Sequence, residues 1–93
     1  MKESLAELKV SGQTNPNKLG GAIVKYLSEV EKVAVRAMGD KAVNQAVKGI
    51  IVAQSYLASE AQELNAKFGF RNKFDEDLQK EITFVVFYLT LVK

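Results

Sequence analysis

The sequence contains no cysteine and no histidine, and these two absences exclude several classes of function. Without cysteine there is no disulfide, no thiol nucleophile and no Cys-based metal site. Without histidine the chain lacks the usual general base, the commonest metal ligand and any Ser-His or Cys-His pair. Catalysis would have to rest on Lys, Tyr or carboxylate side chains, and the sequence places no pair of these convincingly. We therefore predict a protein that is not an enzyme and has no cofactor, metal or small-molecule substrate.

Long apolar runs and a strong net charge are also missing. No apolar stretch approaches the ~20 residues of a membrane span, and the N-terminus has no signal-peptide hydrophobic region. We therefore expect a cytoplasmic protein without membrane contact. The net charge of +2 excludes a histone-like polycation, so any affinity for nucleic acid must come from local patches. Residues 32–58 are basic, with Asp40 as their one acidic residue, whereas residues 75–81 are mostly acidic.

The length of 93 residues allows one hydrophobic core and not two, so residues 1–93 are predicted to form a single domain. A domain of this size buries roughly 60–65% of the surface of its unfolded chain, and it therefore gains stability from oligomerisation. The segment from Met1 to Glu7 is rich in charged residues. We expect it to be a lead-in before the first strand, with a frayed helical turn.

The first third of the chain predicts a strand followed by a helix. Apolar and polar residues alternate over residues 8–11, which indicates a short first strand. Asn15 followed by Pro16 marks the start of a helix, with Asn at the cap and Pro at the first helical position. Gly20 and Gly21 inside this helix cost about 1 kcal/mol each relative to alanine. This cost indicates a close approach of the helix backbone to a sheet or to a partner.

The segment from Arg36 to Gly49 predicts the end of a second strand, a tight turn and the start of a second helix. Residues 33–38 alternate with period 2, as in a half-buried strand running from about Lys32 to Met38. Gly39 ends the strand, and Asp40 is expected to cap a helix from about Lys41 to Leu57. The apolar face of that helix comprises Ala42, Val43, Ala46, Val47 and Ile50, and its polar face comprises Asn44, Gln45 and Lys48.

The C-terminal third predicts a β-hairpin. Residues 64–74 alternate between an apolar face and a basic face that carries Lys67, Arg71 and Lys73. The acidic residues 75–77 are expected to form a solvated hairpin tip. Residues 82–92 are apolar on both faces of the predicted strand, which is typical of a central strand that is covered on both sides.

The resulting order, β-α-β-α-β-β, predicts an α/β fold of the two-layer α+β sandwich type. A right-handed crossover makes the first two strands parallel and places both helices on one face of a four-stranded mixed sheet. Because two helices cover only one face, the doubly apolar last strand indicates a partner on the other face. A second copy of the chain is the most economical partner, which predicts a homodimer or homotetramer.

Two stretches of the sequence carry a resemblance to a known family. The first is Leu8-Lys9-Val10-Ser11 with Pro16-Asn17 and Gly21-Ala22, and the second is Ala37 and Gly39 with Ala42 and Asn44-Gln45-Ala46-Val47-Lys48. On these residues the chain resembles the stage V sporulation protein S family, a bacterial branch of the Alba-like superfamily. The resemblance implies an Alba-like domain that is dimeric or tetrameric, cytoplasmic and without enzymatic activity. It also implies a nucleic-acid-binding or regulatory role linked to sporulation.

Proteins of the wider Alba-like group bind nucleic acid through the loop before the first helix, the start of the second helix and a basic β-hairpin. In this sequence the first loop corresponds to residues 13–18, of which Lys18 is the basic member. Gly39 matches the glycine before the second helix, whereas Asp40 stands where archaeal relatives carry a basic residue. This departure argues against strong coating of duplex DNA and leaves weaker binding, RNA binding or a role in protein assembly open.

Two hypotheses for function follow. In the first, a small regulatory protein binds DNA or RNA through its phosphate backbone, with Asn and Gln contacting sugars or base edges. The candidate nucleic-acid-binding residues are Lys18, Arg36, Lys41, Asn44, Gln45, Lys48, Lys67, Arg71 and Lys73. In the second, the chain is a homo-oligomeric module for protein–protein interaction or assembly, and Asn44 and Gln45 lie at a subunit interface.

Overall fold

The computed structural model describes residues 3–92, and its elements follow the predicted order. They are β1 (Glu3–Val10), α1 (Pro16–Leu27), β2 (Val30–Ala37), α2 (Asp40–Ser59), β3 (Leu64–Asp75) and β4 (Lys80–Leu91). The β-α-β-α-β-β prediction is confirmed. Neither helix among these residues has the length and apolar character that crossing a lipid bilayer requires.

The four strands form one mixed sheet in the order β1-β2-β4-β3. β1 and β2 are parallel, and β4 pairs antiparallel with β2 on one side and β3 on the other. The predicted central position of the last strand is therefore confirmed. The C-terminal ends of β1 and β2 and the β3–β4 hairpin tip lie at the same end of the sheet.

The hydrophobic core lies between the two helices and one face of the sheet. β2 contributes Val33 and Val35 and β4 contributes Phe87 and Leu89, all at most 2% exposed. The helices contribute Leu19, Ile23, Leu27, Ala42, Ala46, Ile50, Ala53 and Leu57. The alternate residues of β2 and β4 point to the other side of the sheet, which no helix covers, and we call that side the open face.

The two helices approach each other closely at glycines. A Cβ on Gly20 would lie 2.5 Å from Cγ1 of Val52 and 3.0 Å from the backbone oxygen of Gly49. A Cβ on Gly49 would collide with the side chain of Leu19. The close approach that Gly20 indicated is therefore real, but its neighbour is α2 rather than a sheet or a partner. Gly21 has nothing within 4 Å of the same position.

Two local predictions were wrong. Residues 3–7 belong to β1 rather than to a frayed lead-in, because they pair with β2 from Glu3 onwards; Met1 and Lys2 lie outside the described residues. Asp40 does not cap α2, because Gly39 occupies the N-cap position at φ +90° and no side chain caps this end. Asp40 is instead the first helical residue, where its negative charge is favourable near the helix N-terminus.

Candidate nucleic-acid interface

The open face of the sheet is basic because strand alternation places the basic residues of all four strands on that side. The register puts Lys9 beside Arg36, Lys67 beside Tyr88 and Arg71 beside Phe84. The basic residues of this face are Lys9, Lys32, Arg36, Lys67, Arg71, Lys73 and, beside Asp75, Lys80. The described carboxylates on the same side are those of Glu7 and, at the hairpin tip, of Asp75, Glu76 and Asp77.

Glu7 joins two arginines across the open face. Nη1 of Arg71 donates a hydrogen bond to Oε2 of Glu7 at 2.8 Å, and Nε of Arg36 lies 3.9 Å from Oε1 of Glu7. Nη2 of Arg71 also donates to the hydroxyl of Tyr88 at 3.2 Å. The Arg36 guanidinium lies 5.3 Å from the centroid of the Phe84 ring. These five side chains, Glu7, Arg36, Arg71, Phe84 and Tyr88, form what we call the arginine cluster.

The arginine cluster accounts for two small apolar residues that are buried without any helix above them. Ala34 and Val86 are fully buried although both point to the open face. Each lies beside members of the cluster in the sheet register, since Ala34 pairs with Glu7 and Tyr88 and Val86 pairs with Arg36. The centre of the open face is therefore covered by side chains of the same chain. Among the described residues, the centre of the open face therefore exposes no apolar surface that a partner would have to cover. The predicted homodimer or homotetramer stays a prediction.

The arginine cluster also shifts the pKa values of Glu7 and Arg71. The hydrogen bond from Arg71, followed by the positive charges of Arg36, Arg71 and Lys73, holds the pKa of Glu7 below its ordinary value despite partial desolvation. Hydrogen bonds with Tyr88 and Glu7 raise the pKa of Arg71. Glu7 is therefore a stable negative charge at the centre of the basic surface at neutral pH.

A second group of predicted site residues lies on the helix side of the sheet, next to the β1–α1 loop. Nε2 of Gln45 donates to the backbone oxygen of Thr14 at 2.8 Å in a half-buried bond. The Cβ of Lys41 lies against Gly12, where an added Cβ would be 2.9 Å away. Gln45 therefore anchors the loop with one of the two protons of its amide. The exposed members of this group are Lys18, Lys41, Asn44 and Lys48.

The structure thus divides the nine predicted residues into two surfaces. Arg36 is close to Lys41 and Lys48 in sequence, but it belongs to the open face with Lys67, Arg71 and Lys73. The reason is parity, since Val35 and Ala37 point into the helix-covered core and Arg36 between them must point away. Glu7, Lys9 and Lys32 were missed as site residues. The alternation of β1 and β2 could have revealed them had β1 been recognised at its full length.

An exposed apolar surface lies elsewhere, where α2 meets the edge strand β3. Phe68 and Phe70 are 72% and 82% exposed, and Val47 and Ile51 of α2 are also exposed. Phe68 contacts the core residue Phe87 edge to face, with ring centroids 5.2 Å apart. A shallow cavity of about 200 Å³ lies between α2 and Phe68. We call these four residues the α2–β3 apolar surface.

Comparison with known proteins agrees with the geometry of the fold. A family model described as "Stage V sporulation protein S (SpoVS)" matches residues 6–89. A solved structure of Alba from Thermoplasma volcanium superposes with a TM-score of 0.54 at 12% sequence identity, covering 95% of this chain and 100% of that one. At this identity the second likeness shows the Alba-like fold and nothing about binding.

Proposed function

This chain belongs to the stage V sporulation protein S family, and from that premise we propose that it is a small sporulation-related regulatory protein that binds nucleic acid. In this proposal the open face contacts the phosphate backbone of DNA or RNA. The chain acts by binding, without catalysis.

The observation that supports the proposal most directly is the excess of positive charge on the open face. Seven basic residues share this face with Glu7 and with the three described carboxylates of the hairpin tip, and Glu7 is the one described carboxylate away from the tip. Lys67 and Lys73 are exposed and form no ion pair among the described residues, so both are free to meet phosphates. Such local concentration of charge attracts a polyanion even though the net charge of the whole chain is only +2.

Lys18, Lys41 and Lys48 provide a second basic surface on the helix side. Since the β1–α1 loop and the hairpin tip are at the same end of the sheet, a long nucleic acid passing that end can touch both surfaces. A short one can reach only one of them. We assign the main contact to the open face, because there the charges are more numerous and aromatic rings accompany them.

A salt series tests the proposal. If about four or five phosphates are neutralised, log K against log salt has a slope near −4 on duplex DNA and a shallower one on single strands. Lys67→Gln and Lys73→Gln are each expected to weaken binding and to reduce the duplex slope by about 0.9. Lys25→Gln, an exposed charge change on α1, is the matched control and should leave both quantities unchanged. Absence of binding to DNA and RNA at ~50 mM salt would overturn the proposal.

A second candidate function, self-assembly, is favoured by the α2–β3 apolar surface. Aromatic side chains as exposed as Phe68 and Phe70 are typical of interfaces between proteins. A homodimer formed there would leave the open face free, so the two functions are compatible. Phe70→Glu is expected to lower the mass in solution to that of a monomer, whereas Phe74→Glu, near the hairpin tip, should not. A monomeric wild-type chain at high concentration would refute this candidate.

A further inference from the structure

The open face contains a cleft between the β3–β4 hairpin and the C-terminal ends of β1 and β2. Its volume is about 600 Å³, which lies within the range of sites that hold small organic molecules. We propose that this cleft binds one unpaired nucleotide of a single strand, with the phosphate at a basic end and the base against an apolar wall. This inference rests on the proposed function and specifies the form of nucleic acid that the open face takes.

Lys9 and Arg36 are neighbours in the sheet register and form a basic end of the cleft, which Lys73 also lines from β3. Nε of Arg36 is buried and has no hydrogen-bond acceptor among the described residues, since Glu7 is too distant at 3.9 Å for a hydrogen bond. A buried donor on a charged group is costly when it is left without an acceptor. The Arg36 side chain keeps 23% of its surface exposed, so a phosphate in the cleft can reach Arg36 and would meet Lys9 beside it.

The wall of the cleft is apolar and includes Phe84, Ile82 and Met38. Cζ of the Arg36 guanidinium lies over the Phe84 ring, 5.3 Å from its centroid. Aromatic rings and guanidinium planes are the two protein surfaces on which unpaired bases stack. The cleft therefore places a stacking surface next to a phosphate-binding end, which is the combination that a nucleotide requires.

The acidic hairpin tip forms the far end of the cleft. Asp75 is committed to the turn, because its Oδ1 accepts hydrogen bonds from the backbone nitrogens of Asp77 and Leu78 at 2.9 and 3.1 Å. Glu76 and Asp77 also line the cleft. Their negative charge repels a second phosphate, so the tip orients the nucleotide with its phosphate toward Lys9 and Arg36.

A base that is paired within a duplex cannot enter the cleft, because its faces are covered by neighbouring bases. The cleft thus favours single strands and unpaired loops. Phosphate contacts alone would bind a strand with bases and an abasic strand equally well. This difference separates the inference from the proposed function.

The test compares three strands of equal length by fluorescence anisotropy: oligothymidylate, a strand of abasic deoxyribose phosphates and a duplex. We expect the wild-type chain to bind oligothymidylate at least about fivefold tighter than the abasic strand, since stacking of one base is worth that factor or more. Phe84→Leu keeps an apolar side chain and removes the ring, and it should abolish most of this preference. Tyr56→Leu, which removes an exposed ring from α2, is the matched control and should preserve it.

Each outcome has a defined meaning. Equal wild-type affinity for oligothymidylate and the abasic strand would overturn the cleft proposal and leave phosphate binding intact, whereas binding to none of the three strands would overturn both. Thymidine monophosphate that binds as tightly as the strand would assign the cleft to free nucleotides and so overturn the strand proposal.

If Phe84→Leu does not fold, a 2-aminopurine base in the strand reports directly on base stacking in the complex with the wild-type chain. Its fluorescence should fall on binding, and unchanged fluorescence would contradict a stacked base.

Discussion

Arg71 and Glu7 connect the two edge strands of the sheet across its open face. Glu7 is on β1 and Arg71 is on β3, 64 residues apart in sequence, and Nη1 of Arg71 donates to Oε2 of Glu7 at 2.8 Å. Two central strands lie between them. The small residues Ala34 and Val86 of those strands leave room for the long side chains to meet above them. A carboxylate thus occupies the middle of a surface whose other charges, away from the hairpin tip, are positive.

Glu7 is expected to compete with phosphate for Arg36 and Arg71. Glu7→Gln removes the negative charge and keeps the shape of the side chain, so it should strengthen binding of nucleic acid about two- to fivefold at low salt, the size of an exposed charge interaction. The gain should diminish as salt increases. Glu60→Gln, at the end of α2, is the control and should have little effect. Equal affinities for the two variants would show that Glu7 does not compete.

The lowered pKa of Glu7 predicts how stability depends on pH. A carboxyl whose pKa is lower in the folded than in the unfolded state stabilises the fold above its unfolded value, close to 4.5. This contribution is lost as the pH falls through the folded pKa, so it should disappear only in acid below about 4.5. Urea unfolding of the wild-type chain and Glu7→Gln at several pH values measures it, and the two curves should converge in acid. A difference between the two chains that is independent of pH would contradict the prediction.

The bond between Gln45 and Thr14 is expected to stabilise the β1–α1 loop. Gln45→Ala leaves the half-buried oxygen of Thr14 without this donor, and the free energy of unfolding should fall by about 1 kcal/mol. Gln54→Ala, an exposed glutamine on the same helix, should change it by less than about 0.5 kcal/mol. Equal losses in the two variants would mean that the side-chain bond contributes nothing specific.

Gly20 and Gly21 should respond in opposite ways to the same substitution. Gly20→Ala places a Cβ 2.5 Å from Cγ1 of Val52, and forcing the helices apart should cost about 1–3 kcal/mol. Gly21→Ala meets no atom within 4 Å and should stabilise the chain by about 0.5–1 kcal/mol through helix propensity. Thermal unfolding of the two variants checks both signs. Stabilisation by Gly20→Ala would contradict the close contact of the helices.

Local patterns in the sequence predicted the elements of the fold and their order correctly. The Asn15-Pro16 start of α1 is an example, since Oδ1 of Asn15 accepts hydrogen bonds from the backbone nitrogens of Asn17 and Lys18. Asp40 shows the limit of such reasoning. A good capping residue was present, yet Gly39 took the N-cap position because only glycine readily adopts its positive φ.

The sequence by itself determined the secondary structure, the central position of β4 and the family, because hydrophobic periodicity and turn residues act over a few neighbouring positions. Only the tertiary structure decided which charged residues meet. Glu7 was joined to Arg71 across the whole sheet, and Gln45 was bonded to Thr14 in a loop 31 residues away. These relations depend on strand register and helix packing, which arise from contacts between distant segments and leave no pattern in any one of them.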